Sequence, residues 1–303
     1  MAFTITILGS GAAIPILNRY PTAQVVQVNN LMILLDCGEG TQMQLRKFIP
    51  KPLRISHIFI SHLHGDHFYG LIGLVNTFHL LGRTKELHVY GIAPLKFILD
   101  YQLEQSGTTL AYPLIFHEID PEMPQVIMED KNVTISTIPM NHRVPTCGFL
   151  IVEKLQKRRI KKEMLEQLRI PHTEFDHIKN GGSYIDPAGR EYPNILITDD
   201  PPAPRSYAYC TDTAHHEPII PLITGCHLLY HETTFAQEKL EDARAKFHST
   251  AMDAALIAKK AGAKRLMIGH YSARYKDTAA LVNEARTIFP ETFAADDGLI
   301  VQI

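Results

Sequence analysis

Short hydrophobic runs rich in β-branched residues recur along the chain and are separated by turn residues or by longer amphipathic segments. Runs of this kind, flanked by Gly, Asn and Pro, are typical of strands. They predict strands at residues 3–8, 25–28, 32–35, 57–60, 87–90, 133–138, 147–152, 206–210, 228–231 and 265–268. The early runs lie close together, and residues 27–31 have the composition of a turn, so we expect antiparallel hairpins there.

Amphipathic segments between these runs predict helices at residues 39–48, 68–81 and 279–288, with apolar residues recurring on one face. A further helix follows Thr250, because Ala251, Ala254 and Ala258 repeat at helical spacing. Thr250 and Asp253 resemble a capping box at its start. Strands and helices thus alternate in both halves of the chain. This pattern predicts an α/β fold in which two mixed sheets are sandwiched between outer helices.

Composition narrows the class of protein only moderately. The 303 residues, 45% hydrophobic and 20% charged, fit an ordinary globular protein of one large or two modest domains. The net charge of -2 gives no global signal for nucleic acid. The four cysteines form no CxxC pair, which argues against a disulfide framework or a zinc knuckle. The chain begins with strand-like residues rather than a secretory signal, and no apolar run reaches transmembrane length, so we expect a cytoplasmic protein.

One segment, residues 153–204, departs from the alternating pattern; we call it the arm. Its first part, residues 153–169, contains seven basic and three acidic residues, a net charge of +4 in a chain of net charge -2. The rest is rich in Gly, Pro, Asn and Asp. We predict an excursion from the core, helical at first, whose local charge attracts phosphate. The alternative is a solvated basic helix without a partner.

The most informative motif is the cluster of His62, His64, Asp66 and His67, directly after the predicted strand 57–60. Imidazole and carboxylate groups are good ligands for Zn²⁺ and similar ions. His62 and His64 alternate as on a strand and therefore face the same way. Asp66 and His67 follow the turn residue Gly65 and can reach a second point. The motif thus favours two metal ions, and its internal position argues against a tag or a surface histidine tract.

Three further candidate ligands each follow a predicted strand. His142 follows strand 133–138, Asp212 follows strand 206–210, and His270 follows strand 265–268. A single histidine at a strand end is weak support for a metal site. Together with residues 62–67, however, these residues predict one shared rim with seven ligands. We call the seven residues the metal rim: His62, His64, Asp66, His67, His142, Asp212 and His270.

At this level of detail the chain resembles the metallo-β-lactamase superfamily, and within it the short-type ribonuclease Z family of tRNA 3′-processing endoribonucleases. The resemblance runs nearly end to end, through segments 8–13, 35–42, 61–67, 141–142, 210–213, 231–235, 248–250 and 269–275. The histidine–aspartate motif marks only the superfamily. The Asp-Cys-Gly-Glu-Gly-Thr, His-Glu-Thr-Thr-Phe and His-Ser-Thr segments distinguish this family from thiolesterases and lactamases.

The resemblance implies two zinc ions per subunit. It assigns His62, His64 and His142 to one ion. It assigns Asp66, His67 and His270 to the second, with Asp212 bridging both. A hydroxide held between two such cations can attack phosphorus while the metals stabilise developing charge. The resemblance also gives Asp66 a role in taking the proton of the attacking water.

Two further residues are candidates for handling the leaving alkoxide. His248 lies just before the helix that Thr250 caps, where the positive potential of the helix N-terminus favours a phosphate. Glu232 can orient His248, as a carboxylate orients the histidine of a triad. The alternatives are simple helix capping for His248 and a surface acid for Glu232.

Asp36 and the nearby glycines are interpreted as supports of the site. Asp36 closes a predicted strand and can support a ligand histidine, as carboxylates commonly do around zinc. Gly38 is expected to permit close approach of backbones beneath the metals. Gly9 and Gly11 lack the third glycine and the spacing of a nucleotide-binding loop, so we interpret them as a tight turn.

In the family that the chain resembles, an arm grips the elbow of the tRNA, and the arm of one subunit serves the active site of the other. The resemblance therefore implies a homodimer and an RNA-binding role for the basic residues Lys157, Arg158, Arg159, Lys161 and Lys162. The family's arm usually has a glycine- and proline-rich tip. Here residues 170–177 contain more acidic residues and histidine, which departs from that pattern.

The sequence thus predicts a zinc endoribonuclease that removes 3′ trailers from precursor tRNA, cutting after the discriminator nucleotide to leave a 3′-hydroxyl. The first alternative is a small-molecule phosphodiesterase or arylsulfatase-like metallohydrolase of the same fold. The second is a non-catalytic RNA-binding module with structural metals. Seven ligands argue against this last alternative, because structural zinc sites are closed and leave no position for water.

Overall fold

The computed structural model describes residues 2–303 and divides into two compact units. The first, which we call the body, runs to Val152 and resumes at Arg205–Ile303. The second consists of Glu153–Pro204, the residues of the arm.

The strands are β1 (Phe3–Gly9), β2 (Gly11–Ala12), β3 (Ala23–Val28), β4 (Leu31–Leu35), β5 (His57–Phe59), β6 (Leu87–Gly91), β7 (Leu114–Glu118), β8 (Val126–Glu129), β9 (Val133–Pro139), β10 (Cys147–Glu153), β11 (Arg159–Ile160), β12 (Tyr184–Ile185), β13 (Glu191–Tyr192), β14 (Thr198–Asp199), β15 (Ser206–Cys210), β16 (Leu228–Glu232), β17 (Leu266–Gly269), β18 (Tyr271–Ser272), β19 (Thr292–Ala294) and β20 (Ile300–Gln302).

The α-helices are α1 (Thr41–Phe48), α2 (Gly65–Phe68), α3 (Leu71–Leu80), α4 (Ala93–Gln105), α5 (Lys162–Leu168), α6 (Phe175–Lys179), α7 (Asn194–Ile197), α8 (Ile220–Ile223), α9 (Leu240–Lys246), α10 (Ala251–Ala261) and α11 (Ala279–Arg286). Short 3₁₀ helices occupy Pro52–Arg54, His172–Glu174, Glu217–Ile219 and Gln237–Lys239. No helix within residues 2–303 has both the length and the apolar character needed to cross a membrane.

Two seven-stranded sheets form the centre of the body. The first has the order β20-β1-β3-β4-β5-β6-β7, and the second has the order β19-β17-β16-β15-β10-β9-β8. Each sheet is mixed. In the first, β1, β3 and β4 pair antiparallel while β4 to β7 run parallel. In the second, β15, β16, β17 and β19 run parallel, whereas β15 and β10 pair antiparallel.

Three apolar layers explain why these elements pack as they do. Alternate strand residues of the two sheets, such as Phe59 and Phe149, form the central layer between the sheets. The opposite face of the first sheet packs against α1, α3 and α4. The opposite face of the second sheet packs against α8, α10 and α11. The body is therefore the sandwich of two mixed sheets between outer helices that the hydrophobic pattern predicts.

Most of the predicted elements are present, but two of them differ from the expectation. The predicted helix 68–81 corresponds to α3, which begins only at Leu71, because Phe68 ends the short helix α2 and Tyr69 and Gly70 separate the two helices. A Cβ atom on Gly70 would lie 2.1 Å from the Gly38 carbonyl oxygen, so this close crossing requires glycine. The arm was expected to begin as a helix; instead it begins with extended chain and β11, and α5 follows.

The arm has a small core of its own. Ile170, Ile178, Tyr184 and Ile197 are buried together, with partly buried residues such as Met164 packed against them. Strand β11, near the start of the arm, pairs with β14, near its end, and β12 pairs with β13 inside it. The hydrophobic residues of this segment therefore stabilise a compact unit rather than a single solvated basic helix.

The topology brings the carboxyl ends of several strands to one edge of the body. The parallel strands β15, β16 and β17 end at Cys210, Glu232 and Gly269, directly before or at candidate site residues. In the first sheet, the parallel strands β4 and β5 end just before Asp36 and the histidine motif. Carboxyl ends of parallel strands meet at the same edge of a sheet, which is where ligands bind in open α/β folds.

Candidate metal centre

The residues of the metal rim form two adjoining groups of potential ligand atoms. His62, His64, His142 and Asp212 form the first group, and Asp66, His67 and His270 form the second. Within each group the ligand atoms lie within 4.8 Å of one another. The structure thus brings together all seven residues that the sequence places at the ends of separate strands.

Asp212 lies between the two groups and presents one carboxylate oxygen to each. Its Oδ2 is 3.6 Å from His62 Nε2 and 3.7 Å from His142 Nε2. Its Oδ1 is 3.3 Å from His67 Nε2 and 3.1 Å from His270 Nε2. This is the arrangement required of a carboxylate that bridges two cations.

Asp66 completes the second group from the start of α2. Its Oδ2 lies 3.3 Å from His270 Nε2 and 3.5 Å from His67 Nε2. The same oxygen accepts the backbone N–H of Ala13 at 2.7 Å. The loop after β2 therefore helps to fix the Asp66 carboxylate.

Four of the five histidines of the metal rim are oriented by a hydrogen bond at Nδ1, the ring nitrogen that faces away from the other ligands. Asp36 Oδ2 lies 2.8 Å from His67 Nδ1, and the Phe247 carbonyl lies 2.9 Å from His142 Nδ1. Thr234 Oγ1 is 3.0 Å from His270 Nδ1, and Ser61 Oγ is 3.0 Å from His62 Nδ1. When Nδ1 carries the proton in each ring, Nε2 is left with a lone pair toward the cluster, as a metal ligand requires.

His64 differs from the other histidines in the atom that it offers. Its Nδ1 faces the cluster, 3.0 Å from His62 Nε2 and 3.3 Å from His142 Nε2. His64 directly precedes α2 and has an extended backbone, φ -76° and ψ 143°.

His248 and Glu232 form a hydrogen-bonded pair beside the metal rim. His248 Nδ1 lies 2.8 Å from Glu232 Oε1. The fully buried Glu232 carboxylate also accepts the backbone N–H groups of Thr213, Thr234 and Ser249 and the Thr234 hydroxyl, at 2.9–3.1 Å. A carboxylate fixed by this many donors holds the His248 ring in one orientation, which excludes the simple surface role for Glu232.

The helix after His248 begins as the sequence predicts. Thr250 is the N-cap of α10: its side chain accepts the Asp253 N–H, and the Thr250 N–H donates to the Asp253 carboxylate. This capping box fixes the segment that carries His248.

Burial and charge shift several pKa values in the site. Burial lowers the pKa of His62, His64 and His142 and so favours their neutral, ligating form. Burial opposes ionisation of Asp66 and Asp212, but the neighbouring histidines His67 and His270 hold the pKa of both carboxyls well below the usual range.

The carboxylates have the opposite effect on two histidines. Burial favours the neutral ring of His67, but Asp212, Asp66 and Asp36 raise its pKa well above 6.5. Burial likewise favours the neutral ring of His248, but Glu232 raises its pKa to about 9. The negative potential that attracts protons to these rings also favours cations between them.

Residues of the site adopt unusual backbone conformations. Asp36, Phe247, His270 and Ala13 have φ between 54° and 60°, the left-handed region, although none is glycine. Such conformations cost about 1 kcal/mol or more each and cluster at functional sites. Here each places a group against the site: a carboxylate, a carbonyl, an imidazole and an N–H.

The metal rim opens into a cavity of about 550 Å³. His64, Asp66, Asp212, His248 and His270 lie on its wall. Three cationic side chains, Arg143, Lys246 and Arg274, also line it. A cavity lined by both cationic side chains and metal-binding carboxylates suits an anionic substrate bound next to metal ions.

The donor set fits two zinc ions. Five imidazole nitrogens and two carboxylates are borderline or hard ligands of the type that zinc binds in catalytic sites. Because Asp212 is shared, each group would offer an ion four protein ligands, and zinc in catalytic sites can expand to a fifth position, which would take water.

Comparison with known proteins agrees with this geometry. The chain is 45% identical to the ribonuclease Z of Bacteroides fragilis over 301 residues, covering 99% of each chain. The crystal structure of the short form of human tRNase Z superimposes with a TM-score of 0.72 at 27% identity, covering 98% of each chain. The metallo-β-lactamase fold protein YhfI from Bacillus subtilis has the same fold, with a TM-score of 0.70 at 20% identity over both full chains. A family model described as anti-Pycsar protein Apyc1 matches residues 3–144.

The two-sheet sandwich, with the histidine- and aspartate-rich rim at its edge, has the metallo-β-lactamase fold. The 45% identity to ribonuclease Z extends over 99% of each chain, so the chain belongs to the ribonuclease Z family.

Sequence reasoning missed several supports of the site. Ser61 and Thr234 lie in segments 61–67 and 231–235, but nothing in those segments predicts their hydrogen bonds to the ligand histidines. Tyr209 is predicted only as a residue of strand 206–210. The Phe247 carbonyl carries no side-chain signal at all. The expected support by Asp36 and the close approach at Gly38, where a Cβ would lie 2.4 Å from the Asp66 carbonyl oxygen, are both present.

Proposed function

We propose that this protein is a zinc-dependent endoribonuclease that removes 3′ trailers from precursor tRNA, cutting after the discriminator nucleotide to leave a 3′-hydroxyl. The proposal is supported by the 45% sequence identity to ribonuclease Z over 99% of each chain and by the structural similarity to human tRNase Z. The single observation that carries the chemistry is Asp212, which faces one histidine group with each carboxylate oxygen.

The residues of the metal rim would hold two zinc ions, with His62, His64 and His142 at one and Asp66, His67 and His270 at the other. Two such ions, when bound, activate water and neutralise charge on the scissile phosphate. We assign to Asp66 the acceptance of a proton from the attacking water; its carboxylate lines the cavity and accepts the Ala13 N–H.

His248 serves the leaving group. As water oxygen bonds to phosphorus, the bond from phosphorus to the 3′-oxygen of the tRNA breaks, and His248 donates a proton to that oxygen. Glu232 holds the imidazole in position and favours its protonated form. Arg143, Lys246 and Arg274 line the cavity, where they would contact neighbouring phosphates of the RNA.

The arm is proposed to bind the tRNA away from the cleavage site through Lys157, Arg158, Arg159, Lys161 and Lys162. We also propose a homodimer in the cytoplasm, following the organisation that the resemblance implies. The oligomeric state can be checked by analytical ultracentrifugation of the purified protein.

Cleavage of a 3′-extended precursor tRNA, run beside bis(p-nitrophenyl) phosphate and with a chelator control, tests the function. We expect one cut after the discriminator that disappears with chelator. Hydrolysis of the small ester without RNA cleavage would instead move the protein to the small-molecule phosphodiesterases.

A further inference from the structure

Behind the second histidine group lies a buried hydrogen-bond network centred on the carboxylate of Asp36, which is fully shielded from solvent. Its Oδ2 accepts from the Tyr209 hydroxyl at 2.7 Å and from the Ser61 hydroxyl at 2.9 Å, and it lies 2.8 Å from His67 Nδ1. Its Oδ1 accepts the Ser61 backbone N–H at 2.8 Å. Four donors therefore converge on one carboxylate.

The network reaches both histidine groups. Ser61 Oγ donates to Asp36 and lies 3.0 Å from His62 Nδ1, from which it can accept. One histidine of the first group and one of the second are thus held with Nδ1 as donor and Nε2 directed toward Asp212. The orientation of two rings depends on the position of Asp36.

Asp36 follows the end of β4 in the left-handed backbone region, with φ 55°. Tyr209 lies in β15, across the central apolar layer, and its ring is fully buried there. Its hydroxyl is therefore a donor from the second sheet that is fixed by the packing of the core and meets a carboxylate of the first sheet.

We propose that Tyr209 is a positioning residue: its hydroxyl holds the Asp36 carboxylate so that His67 keeps Nε2 directed at the second zinc ion. This inference rests on the metal assignment in the proposed function. Tyr209 acts through Asp36 and His67 and contacts neither substrate nor metal.

The chain supplies a matched control in Tyr230. Tyr230 pairs with Tyr209 in the register of β15 and β16, the rings stack with centroids 5.0 Å apart, and both side chains are fully buried. Within residues 2–303, however, the Tyr230 hydroxyl has no hydrogen-bond partner. Tyr230→Phe therefore removes the same atom from the same layer without touching Asp36.

The experiment compares the full-length Tyr209→Phe and Tyr230→Phe proteins with the wild type, using zinc as the probe. Competition with a chromophoric chelator measures the affinity of each of the two ions. Proton NMR of the imidazole N–H groups reports the His67–Asp36 hydrogen bond directly. For Tyr209→Phe we expect about tenfold weaker binding of one zinc ion, the low end of the range for partners of ligating groups, and a shifted N–H resonance. Tyr230→Phe should match the wild type in both.

Two results would overturn the inference while leaving the proposed function intact. One is zinc affinity and an N–H spectrum of Tyr209→Phe that equal those of the wild type. The other is an equal loss in both variants, which would assign the effect to core packing. If the wild type itself bound no zinc, the proposed function would fail, and that failure is distinguishable because it appears without any substitution.

Discussion

The carboxylates of the metal rim and of its supporting residues are largely buried and hydrogen-bonded, whereas most charged side chains of the arm are exposed. The carboxylate of Glu232 is fully buried and is fixed by donors from the backbone, Thr234 and His248. In the arm, Lys157 pairs with Asp176 at 3.1 Å, but their side chains are 55% and 88% exposed. Removing a partner from a buried charge costs several kcal/mol, whereas an exposed pair contributes about 0–1 kcal/mol.

This difference separates two tasks. Chemistry requires ligand atoms held in one geometry, and burial with full hydrogen bonding provides it. Attraction of RNA requires cations that can exchange one anionic partner for another, and exposed side chains provide that. Lys157 pairs with Asp176, and Lys162 lies 3.8 Å from Glu166, so in the proposed RNA-binding role phosphates would compete with weak local pairs.

The strongest test of the rim is Asp212→Ala. It removes the carboxylate that faces both histidine groups, so we expect loss of bound zinc and a fall in tRNA cleavage of more than about 10³-fold, because several kcal/mol of charge stabilisation disappears. Metal analysis and single-turnover cleavage measure this. Zinc content near that of the wild type would contradict the bridging role.

Removal of the proposed acid should have a smaller effect. His248→Ala should slow cleavage by about 10²–10³-fold, the usual contribution of a positioned acid, while both zinc ions remain bound. Glu232→Gln should slow cleavage less, because the glutamine amide can still hydrogen-bond the His248 ring and hold it in place. Loss of zinc from His248→Ala would show that this histidine is a ligand instead.

The arm should respond mainly in binding. Replacing Lys157, Arg158, Arg159, Lys161 and Lys162 with Ala should weaken precursor tRNA binding and reduce its salt dependence, while hydrolysis of bis(p-nitrophenyl) phosphate is unchanged. If both activities fall together, the arm is structural.

Two single substitutions sharpen this test. The exposed Arg159 side chain makes no hydrogen bond or ion pair in the described part of the chain, whereas Arg158 bonds Thr198 at 2.7 Å and pairs with Asp200. Arg159→Ala should lower the salt slope by about 1 without loss of stability. Arg158→Ala should also increase proteolysis within the arm. Equal proteolysis of both variants would contradict the distinction.

The smallest expected effect concerns acid stability of the first sheet. His57, His88 and His117 lie on neighbouring strands β5, β6 and β7, and His88 Nδ1 is 2.9 Å from His117 Nε2. Burial, and then the charges of His88 and His117, lower the pKa of His57 to about 4. The unfolded chain, with a pKa of about 6.5, binds the proton more readily. His57 therefore destabilises the fold as the pH falls from about 6.5 to 4, and the penalty is absent above that range.

Between pH 7.5 and pH 5, the free energy of unfolding of His57→Phe should fall by about 1–2 kcal/mol less than that of the wild type, allowing for partial exposure of the ring. Urea unfolding of both proteins at the two pH values measures it. The comparison of differences cancels the titration of the metal rim, which both proteins share. A pH dependence that is the same in both would contradict the shifted pKa.

Local sequence was sufficient for much of the fold. Short hydrophobic runs rich in β-branched residues predicted most strands of both sheets, because these strands are buried along most of their length. Helix α4 was missed, since its exposed Phe97 and Tyr101 blur the amphipathic pattern. Strands β7 and β8 were missed because they are only partly buried and carry little alternation.

The sequence by itself determined the ligand types, their positions at strand ends and the capping box at Thr250, because these depend on residue identity and short-range spacing. Only the tertiary structure decided which atoms meet. The division of the Asp212 oxygens between two groups, the Nδ1 of His64, the Phe247 carbonyl behind His142 and the Tyr209 hydroxyl behind Asp36 all join residues distant in the chain. Such contacts are fixed by the register and packing of two sheets, which no local pattern records.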